Sequence, residues 1–296
     1  MMRIILLATV LTSGAFLLMF VLSEKTQTPL GRTFSPLFSL MGQQVKTADR
    51  ILSRVLPVDS VDESQLGEAI KASMRNRSSS EDSRSGYLQS VLDYTVENLH
   101  SKYRYEIFIV DGAPNAAAMP GGALLITRGL LDVLQSEAEL VSILGHEVGH
   151  VERGHCFDSV RFELLSRRLG SRTLGEIADL AYGITTRMHF SKSQEMESDR
   201  YGFELLVAAQ YDPMGMSGAF ERLKAASRPQ GGAGIPDPFR DYVDSHPPVA
   251  LRIENYRELG RRWIRSHEVR FYRGEKNFQE KIPRSKQAFE AEWHRD

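Results

Sequence analysis

The first apolar segment of the chain lies close to its N-terminus. Ile4 to Leu22 carries no charged side chain over 19 residues, and as a helix it would extend about 28 Å, enough to cross a bilayer core. No Ala-x-Ala cleavage site follows, which favours an uncleaved signal anchor over a cleaved signal peptide. With Arg3 on the short side, the N-terminus should stay inside. Residues 1–22 are therefore expected to be a single-pass transmembrane anchor.

This expectation also predicts where the protein is located. The anchor would contact membrane lipid in a bacterial inner membrane, and the bulk of the chain would face the periplasm or the exterior. If the signal were cleaved instead, the protein would be secreted to the periplasm.

A second apolar pattern follows at helical spacing. It opens at Ser35-Pro36 and ends before Pro57, which predicts an amphipathic helix within a juxtamembrane linker of residues 23–58. The recurring apolar positions are Leu37, Met41, Val45, Ala48, Leu52 and Val55. Such a helix can lie on the bilayer or dock on the following domain, and docking is the simpler of the two.

The rest of the chain mixes helical and strand-like patterns. Two strands are predicted at Tyr105 to Val110 and at Ala123 to Thr127, joined by a loop that contains Asn115 and Pro120-Gly121-Gly122. Helices are predicted at Asp59 to Lys71, at Tyr87 to Leu99, at Val160 to Ala181, and from Asp212-Pro213 onwards. We therefore expect an α+β fold that is predominantly helical, with a small edge β-sheet.

The best-defined helix follows Ser136. Ser136 and Glu139 have the spacing of a capping box, and the apolar residues after them can pack on one side. Those apolar residues are Leu140, Val141, Ile143, Leu144, Val148 and Val151. This arrangement leaves a face that carries His146, Glu147 and His150 free.

The run His146-Glu147-Val148-Gly149-His150 carries the chemistry of this helix. On a helix the two histidines lie about 40° apart and about 6 Å along the axis, with Glu147 within about 100° of both. Two imidazoles one turn apart with a carboxylate beside them are typical of a zinc hydrolase. We expect one Zn²⁺ per chain, bound by His146 and His150.

A catalytic zinc needs a third protein ligand. The short metzincin continuation would place Gly at 153 and His at 156, where this chain has Arg153 and Cys156, so that class is rejected. The best candidate is Glu195, at the start of a helix that Ser191 and Gln194 can cap.

The helix that begins there presents one face with two carboxylates and a glycine. Glu195 and Asp199 are four residues apart, and Gly202 continues the same stripe. We expect Glu195 to bind the metal and Asp199 to accept the N–H of a ligand histidine from behind. Gly202 would permit the close approach of a second helix. Glu197 ranks below Glu195 because its i+4 position is Tyr201.

Four further residues complete the predicted chemistry. Glu147 is expected to act as the general base that takes a proton from the attacking water. His246, Tyr242 and Arg252 are candidates for stabilising the oxyanion, with His246 first among them. His246 follows a glycine-rich segment that can act as a lid. It can either hydrogen-bond the transition state or cap the zinc as a fourth ligand, and the sequence leaves both open.

Two residues just after the zinc motif are expected to be structural. His155 lies one turn and one residue beyond His150, off the metal face of a continuing helix. Cys156 is expected to be a buried thiol.

Composition and chain length bear on the class of protein. The chain has 296 residues, a net charge of -1 and one Cys, which gives no electrostatic case for nucleic acid and allows no internal disulfide. The length fits one globular core with accessory segments.

A membrane-tethered chaperone or assembly factor with a structural zinc is the alternative function. It is less favoured because structural zinc usually has four protein ligands, commonly including Cys. A zinc aminopeptidase is disfavoured because the chain has no Gly-x-Met-Glu-Asn segment.

Several segments together resemble a known family. The chain resembles the gluzincin-type zinc metallopeptidases that include the CAAX prenyl endopeptidases, HtpX and the bacterial periplasmic proteases of outer-membrane quality control. Besides the zinc motif and the Glu195 helix, the resemblance rests on Asn115 to Gly122, Thr127 to Leu131, Tyr211-Asp212-Pro213, and Ser245 to Pro248 with Arg252. Two departures are Ser198, where the family usually has Ala, and Ala117, where an aromatic residue is common.

The resemblance implies a fold and a function. It implies a zincin-like endopeptidase domain over residues 59–265, followed by a C-terminal tail of residues 266–296. The substrates would be polypeptides, either unfolded or from the membrane and envelope, as in protein quality control. It also implies that Asn115 and Ala116 contact the substrate backbone, in keeping with strand addition at a sheet edge.

Overall fold

The computed structural model describes most of the chain beyond residue 60. The described residues are 60–77, 82–158, 160, 190–226, 246 and 249–294, together with 173, 176, 179, 181 and 183. The predicted membrane anchor, the predicted juxtamembrane helix and most of the predicted helices at 160–181 lie outside this set. Among the described helices, none has the length and apolar character needed to span a membrane.

Helices make up most of the described structure. In chain order they are α1 Ser60–Arg77, α2 Ser85–Val96, α3 Arg128–Val133, α4 Glu137–Glu152, α5 Lys192–Ala208, α6 Gly215–Ala226, α7 Val249–Ser266 and α8 Glu275–Glu280, with a short 3₁₀ helix at Glu290–Glu292. The predicted helices near residues 59, 87, 136 and 212 are thus present. Asp212 caps the turn before α6, because its Oδ1 accepts a hydrogen bond from the N–H of Met214.

A three-stranded sheet packs beside these helices. Its strands are β1 Glu106–Val110, β2 Ala116–Met119 and β3 Ala123–Thr127, in the spatial order β1-β3-β2. β1 runs parallel to β3, with Glu106 opposite Ala123. β2 runs antiparallel to β3, with Met119 opposite Ala123. β2 therefore forms one edge of the sheet.

The sequence predicted a loop where β2 lies, and that prediction was wrong. All four residues of β2 are buried, so the strand shows no alternation of apolar and polar residues. Alanine also has a low strand propensity. The turn into β3 depends on Gly121 and Gly122, whose φ angles of 81° and 88° favour glycine.

The central helix is α4, which carries the zinc motif. It is buried from Glu137 to Val151 and packs most extensively against α5. The two backbones approach closely at small residues: a Cβ atom added to Gly202 would lie 2.7 Å from the backbone N of His146. The close approach predicted for Gly202 is confirmed, and the second helix is the one that carries the zinc motif.

The N-terminal caps of α4 and α5 were both predicted, with different outcomes. At α5, Ser191 and Gln194 form the complete capping box. At α4, Ser136 Oγ accepts the N–H of Glu139 at 3.1 Å, but Glu139 Oε2 accepts the N–H of Gln135 at 2.7 Å. Ser136 therefore caps α4 as predicted, but the Glu139 side chain accepts the N–H of Gln135 and not that of Ser136.

The residues after α7 pack against the start of α4. A two-stranded sheet forms from β4 Phe271–Tyr272 and β5 Trp293–His294. The backbone N–H groups of Glu137 and Ala138 donate to the carbonyl oxygens of Gly274 and Arg273, both at 3.1 Å. The C-terminal segment thus satisfies the first amides of the helix that carries the zinc motif.

Candidate metal centre

Four buried side chains converge beside the middle of α4. His146 and His150 come from α4, Glu195 from the first turn of α5, and His246 from the segment that precedes α7. One potential ligand atom from each lies within 4.8 Å of all the others. The side chains of His146, His150 and Glu195 are at most 2 % exposed. Two separate helices and a distant histidine therefore meet at one point.

The distances between these atoms fit a tetrahedral metal site. His146 Nε2 lies 3.1 Å from His150 Nε2, 3.4 Å from His246 Nδ1 and 3.7 Å from Glu195 Oε2. Glu195 Oε1 lies 2.9 Å from His246 Nδ1 and 3.5 Å from His150 Nε2. Ligand atoms about 2.1 Å from a tetrahedral zinc ion lie about 3.4 Å apart. Three nitrogens and one carboxylate at this spacing form a site that fits Zn²⁺.

The side chain of Glu147 lies next to this cluster. Its carboxylate is fully buried, and among the described residues neither oxygen has a hydrogen-bond partner. The Nε2 atom of His246 lies 3.9 Å from Glu147 Oε1. A buried carboxylate without hydrogen bonds is costly, so its position calls for a ligand or water molecule that it can bind.

A carboxylate and an arginine support His146 from behind. Asp199 Oδ1 lies 2.8 Å from His146 Nδ1. Arg252 donates two hydrogen bonds to Asp199, from Nε to Oδ2 at 2.8 Å and from Nη2 to Oδ1 at 2.6 Å. Arg252 also donates from Nη1 to the carbonyl oxygen of His246 at 2.8 Å, and the same nitrogen lies 3.2 Å from Glu195 Oε2. Arg252 was considered as an oxyanion donor, but its guanidinium is directed at these protein groups.

His150 is supported by residues that the sequence did not indicate. Its Nδ1 lies 3.1 Å from His155 Nδ1, and Phe190 stacks on its ring at 3.7 Å between centroids. His155 was expected to lie off the metal face because a continuing helix was assumed. Instead α4 ends at Glu152, and Gly154 adopts a φ of 75° that turns the chain. A glycine after the last helical turn was the signal that could have revealed this.

Charges around the cluster favour ionised carboxylates. Burial opposes ionisation of Glu195, but His246, His146 and Arg252 outweigh it and hold the pKa of Glu195 below its ordinary value. Burial likewise opposes ionisation of Asp199, yet Arg252 and His146 lower its pKa. For His150, burial and the neighbouring histidines lower the pKa well below its ordinary value. A neutral imidazole beside charged carboxylates is the state in which these side chains bind a metal.

The predicted substrate-contact residues lie at the start of β2. Asn115 is buried, and its side-chain Oδ1 accepts the N–H of Ala116 at 2.8 Å. β2 packs against α4, and the carbonyl oxygen of Ala118 accepts a bond from Cys156 Sγ at 3.4 Å. The edge strand therefore runs beside the helix that carries His146 and His150. Cys156 is buried, as predicted. Tyr242 lies outside the described residues.

The fold and the cluster together define a class of protein. A mostly helical α+β unit carries two histidines one turn apart on one helix, a glutamate on a second helix and an edge strand alongside. This arrangement is consistent with the α+β core of a zincin-like metallopeptidase.

Comparison with known proteins gives the family. Residues 82–259 match the model of Peptidase family M48, and the chain belongs to this family of zinc metalloproteases. It is 30 % identical over 148 residues to mitochondrial metalloendopeptidase OMA1 of Arabidopsis thaliana, an alignment that covers 48 % of this chain and 29 % of the relative. It is 28 % identical over 165 residues to metalloprotease YcaL of Escherichia coli (strain K12), covering 52 % of this chain and 61 % of the relative.

A third relative carries a more specific name. The putative beta-barrel assembly-enhancing protease of Vibrio cholerae is 30 % identical over 165 residues, with 50 % of this chain and 33 % of the relative covered. The matches thus span less than two thirds of each of these relatives. The family match over residues 82–259 contains His146, His150, Glu195 and His246.

Proposed function

We propose that this protein is a zinc endopeptidase in which His146, His150 and Glu195 bind the metal and Glu147 is the general base. The observation that carries the proposal is the buried Glu147 carboxylate beside the four-membered cluster, without a hydrogen-bond partner among the described residues. A structural zinc site does not need such a group, whereas hydrolysis needs a base that is next to the metal without binding it. This favours peptide hydrolysis over a purely structural zinc.

The proposed reaction uses the side chains in distinct roles. When bound, zinc supplies a Lewis acid that makes water more acidic and polarises the peptide carbonyl. Glu147 takes the proton of the attacking water on its carboxylate and returns it to the leaving amine. Asp199 accepts the Nδ1–H of His146 and so keeps Nε2 directed at the cluster. Burial of the site keeps bulk water from competing for these groups.

His246 has two proposed roles, of which the geometry supports one more strongly. Its Nδ1 lies 2.9 Å from Glu195 Oε1 and 3.4 Å from His146 Nε2, distances that suit a fourth ligand. In this position His246 would cap the metal and hold the enzyme in a resting state. Activity would then require His246 to withdraw, after which its imidazole could hydrogen-bond the transition state.

The substrate is proposed to be an extended polypeptide that pairs with the edge of β2. Strand addition uses backbone groups and therefore tolerates many sequences, which suits the degradation of unfolded proteins. Asn115 and Ala116 are proposed to contact the substrate backbone. Because Asn115 Oδ1 accepts the N–H of Ala116, the side chain of Asn115 would hold the strand end in shape or exchange this bond for one to the substrate.

The cellular setting is proposed from two observations. The uncharged segment at residues 4–22 suits a membrane anchor, and one relative is named as a beta-barrel assembly-enhancing protease. We therefore propose that the enzyme acts in quality control of membrane or envelope proteins, with its catalytic domain facing the periplasm or the exterior.

The test is the Glu147→Gln variant assayed on unfolded casein and on a quenched peptide. Proton transfer by a positioned base is typically worth about 10²- to 10⁴-fold, so turnover should fall by about that factor while one zinc per chain is retained. Wild-type protein with chelator serves as the control for metal dependence. Full peptidase activity in Glu147→Gln would refute the role of Glu147. A zinc-loaded wild type without any hydrolysis would support the assembly-factor alternative.

A further inference from the structure

A chain of polar contacts runs from His150 to the protein surface. His150 Nδ1 lies 3.1 Å from His155 Nδ1, and His155 Nε2 lies 3.2 Å from Glu197 Oε2. The side chain of His155 is 5 % exposed, whereas that of Glu197 is 59 % exposed. Two rings and one carboxylate thus connect the buried cluster with solvent.

The protonation of each nitrogen in this chain follows from the position of the first ring. His150 directs Nε2 at the cluster, 3.5 Å from Glu195 Oε1, so a metal there would be bound by Nε2. A neutral imidazole bound through Nε2 carries its proton on Nδ1. That proton can only be donated to His155 Nδ1 if this nitrogen is an acceptor.

The tautomer of His155 follows from the tautomer of His150. With Nδ1 as acceptor, neutral His155 carries its proton on Nε2, and this nitrogen faces Glu197 Oε2. A carboxylate at that end favours the required tautomer, as it does when it contacts a ligand histidine directly. Each contact between Glu197, His155 and His150 therefore pairs one hydrogen-bond donor with one acceptor.

We infer that His155 is a positioning residue for the zinc site, which fixes the tautomer and the ring orientation of His150 and is itself oriented by Glu197. The inference rests on the proposed role of His150 as a zinc ligand. His146 is held by a buried carboxylate, Asp199, at 2.8 Å. His150 is held through an intervening imidazole, whose outer partner is a carboxylate on the surface.

Ser198 is a feature of this chain that bears on the same contact. Its Oγ lies 3.3 Å from His155 Nδ1 and is buried. The lone pair of that nitrogen is thus approached by two donors, the hydroxyl of Ser198 and the N–H of His150. The shorter distance belongs to His150, so the histidine contact is the stronger of the two.

The experiment measures zinc affinity of the full chain by competition with a chromophoric chelator. His155→Leu removes the acceptor, and loss of such a partner typically costs about 10- to 100-fold in metal affinity. His155→Asn keeps an acceptor oxygen at the position of Nδ1, so it should retain affinity within about threefold of wild type. This rescue separates positioning from packing, because both substitutions remove the ring.

Variants on α5 test the outer part of the chain of contacts. Glu197→Leu should weaken zinc binding by about twofold to fivefold, the range of an exposed charged contact. Glu204→Leu is the matched control, because Glu204 is on the same helix and pairs with Arg200 instead, so it should bind zinc like wild type. Ser198→Ala should stay within about twofold of wild type, since it removes only the weaker donor.

A tautomer measurement completes the test. In zinc-loaded wild type, ¹⁵N shifts of the imidazoles should show His150 protonated on Nδ1 and His155 protonated on Nε2. The inference is overturned if His155 is protonated on Nδ1, or if folded His155→Leu binds zinc like wild type. It is also overturned if His155→Asn binds as weakly as His155→Leu, or if Ser198→Ala loses tenfold.

Failure of the proposed function would look different. If wild type binds no zinc, or if His150→Ala binds zinc as tightly as wild type, the ligand assignment itself is wrong. If both behave as proposed while the His155 variants have no effect, only the positioning role is wrong. Should His155→Leu fail to fold, His155→Asn, Glu197→Leu and the tautomers still decide.

Discussion

Arg252 is the residue that links the most parts of the cluster. Its side chain is 6 % exposed and contacts Asp199, Glu195 and the backbone of His246. A buried guanidinium with two carboxylate partners is stabilising only as a complete set, because removal of one member leaves buried charge without compensation. Arg252 thereby couples Glu195 on α5 to the segment that carries His246.

The Arg252→Gln variant tests whether Arg252 stabilises its buried carboxylate partners. It should lower the free energy of unfolding by about 3–5 kcal/mol, because Asp199 and Glu195 lose their buried cation. Arg257→Gln is the matched control on the same helix, where the arginine pairs with Glu221 and Glu254 near the surface, and its effect should be much smaller. Urea denaturation of both variants measures the difference. Equal losses would mean that Arg252 is not the central cation of the site.

For single residues, the sequence predicted the relative positions that helical spacing determines. His146, Glu147 and His150 are fixed relative to one another by helix geometry. Glu195 and Asp199 followed from the same reasoning on a second helix, and the structure brings them to the histidines. His155 was missed because its position depends on a left-handed glycine, Gly154. The role of Arg252 depends on tertiary contacts that no local pattern contains.

Among the helices and strands, the contact between α4 and α5 determines whether Glu195 can reach His146 and His150. Gly145, Gly149 and Gly202 line this contact, and a Cβ atom at Gly149 would lie 3.0 Å from the Cα of Ser198. Interhelical distance is set by the side chains at the contact. Small residues therefore bring Glu195 within reach of the two rings.

The Gly202→Ala variant tests the importance of this distance. Its Cβ would lie 2.7 Å from the backbone N of His146, too close for the helices to keep their positions. We expect a loss of about 1–3 kcal/mol from overpacking, together with weaker zinc binding. Gly86→Ala in α2 is the control, because no atom lies within 4 Å of its added Cβ, and it should stabilise by about 0.4–1 kcal/mol. Unchanged zinc affinity in Gly202→Ala would contradict the account.

Elements with a clear period were predictable, and elements without one were not. α4 and α5 have caps and periodic faces, and both appear where the sequence placed them. β2 is four buried residues, three of them alanine, and it exists because β3 pairs with it. The resemblance to a family implied only that Asn115 and Ala116 contact a substrate, and it did not predict a strand there.

At the scale of the whole molecule, the C-terminal residues complete the core around α4. Arg284 donates its backbone N–H to the Glu137 carboxylate at 3.3 Å and its Nη1 to the carbonyl oxygen of Ala209 at 2.8 Å. Its guanidinium lies 4.6 Å from the centroid of the Tyr211 ring. Tyr211 in turn donates to Glu137 at 2.9 Å. The end of the chain thus holds the first residue of the helix that carries the zinc motif.

Glu137 makes this packing dependent on pH. Burial raises the pKa of Glu137 from 4.5 to about 7 even though Tyr211 donates to it. Between these values the folded chain keeps a proton that the unfolded chain has released, so stability falls as pH rises through this window.

The Glu137→Gln variant removes this proton equilibrium. Relative to the variant, wild type should lose up to about 3 kcal/mol of unfolding free energy between pH 4.5 and pH 8. Urea denaturation at several pH values measures the difference, with the exposed Glu204→Gln as a control that should show none. A difference that does not change with pH would mean that Glu137 is ionised throughout.

We propose that three protein side chains on two helices bind one zinc ion beside Glu147, which acts as the base. Anomalous diffraction at the zinc edge, from a crystal of zinc-loaded protein, tests it most directly. We expect a single peak about 2.0–2.2 Å from His146 Nε2, His150 Nε2 and a carboxylate oxygen of Glu195, with Glu147 outside ligand distance. His246 at a similar distance would identify the capped state. A peak elsewhere, or one without Glu195 among its ligands, would contradict the account.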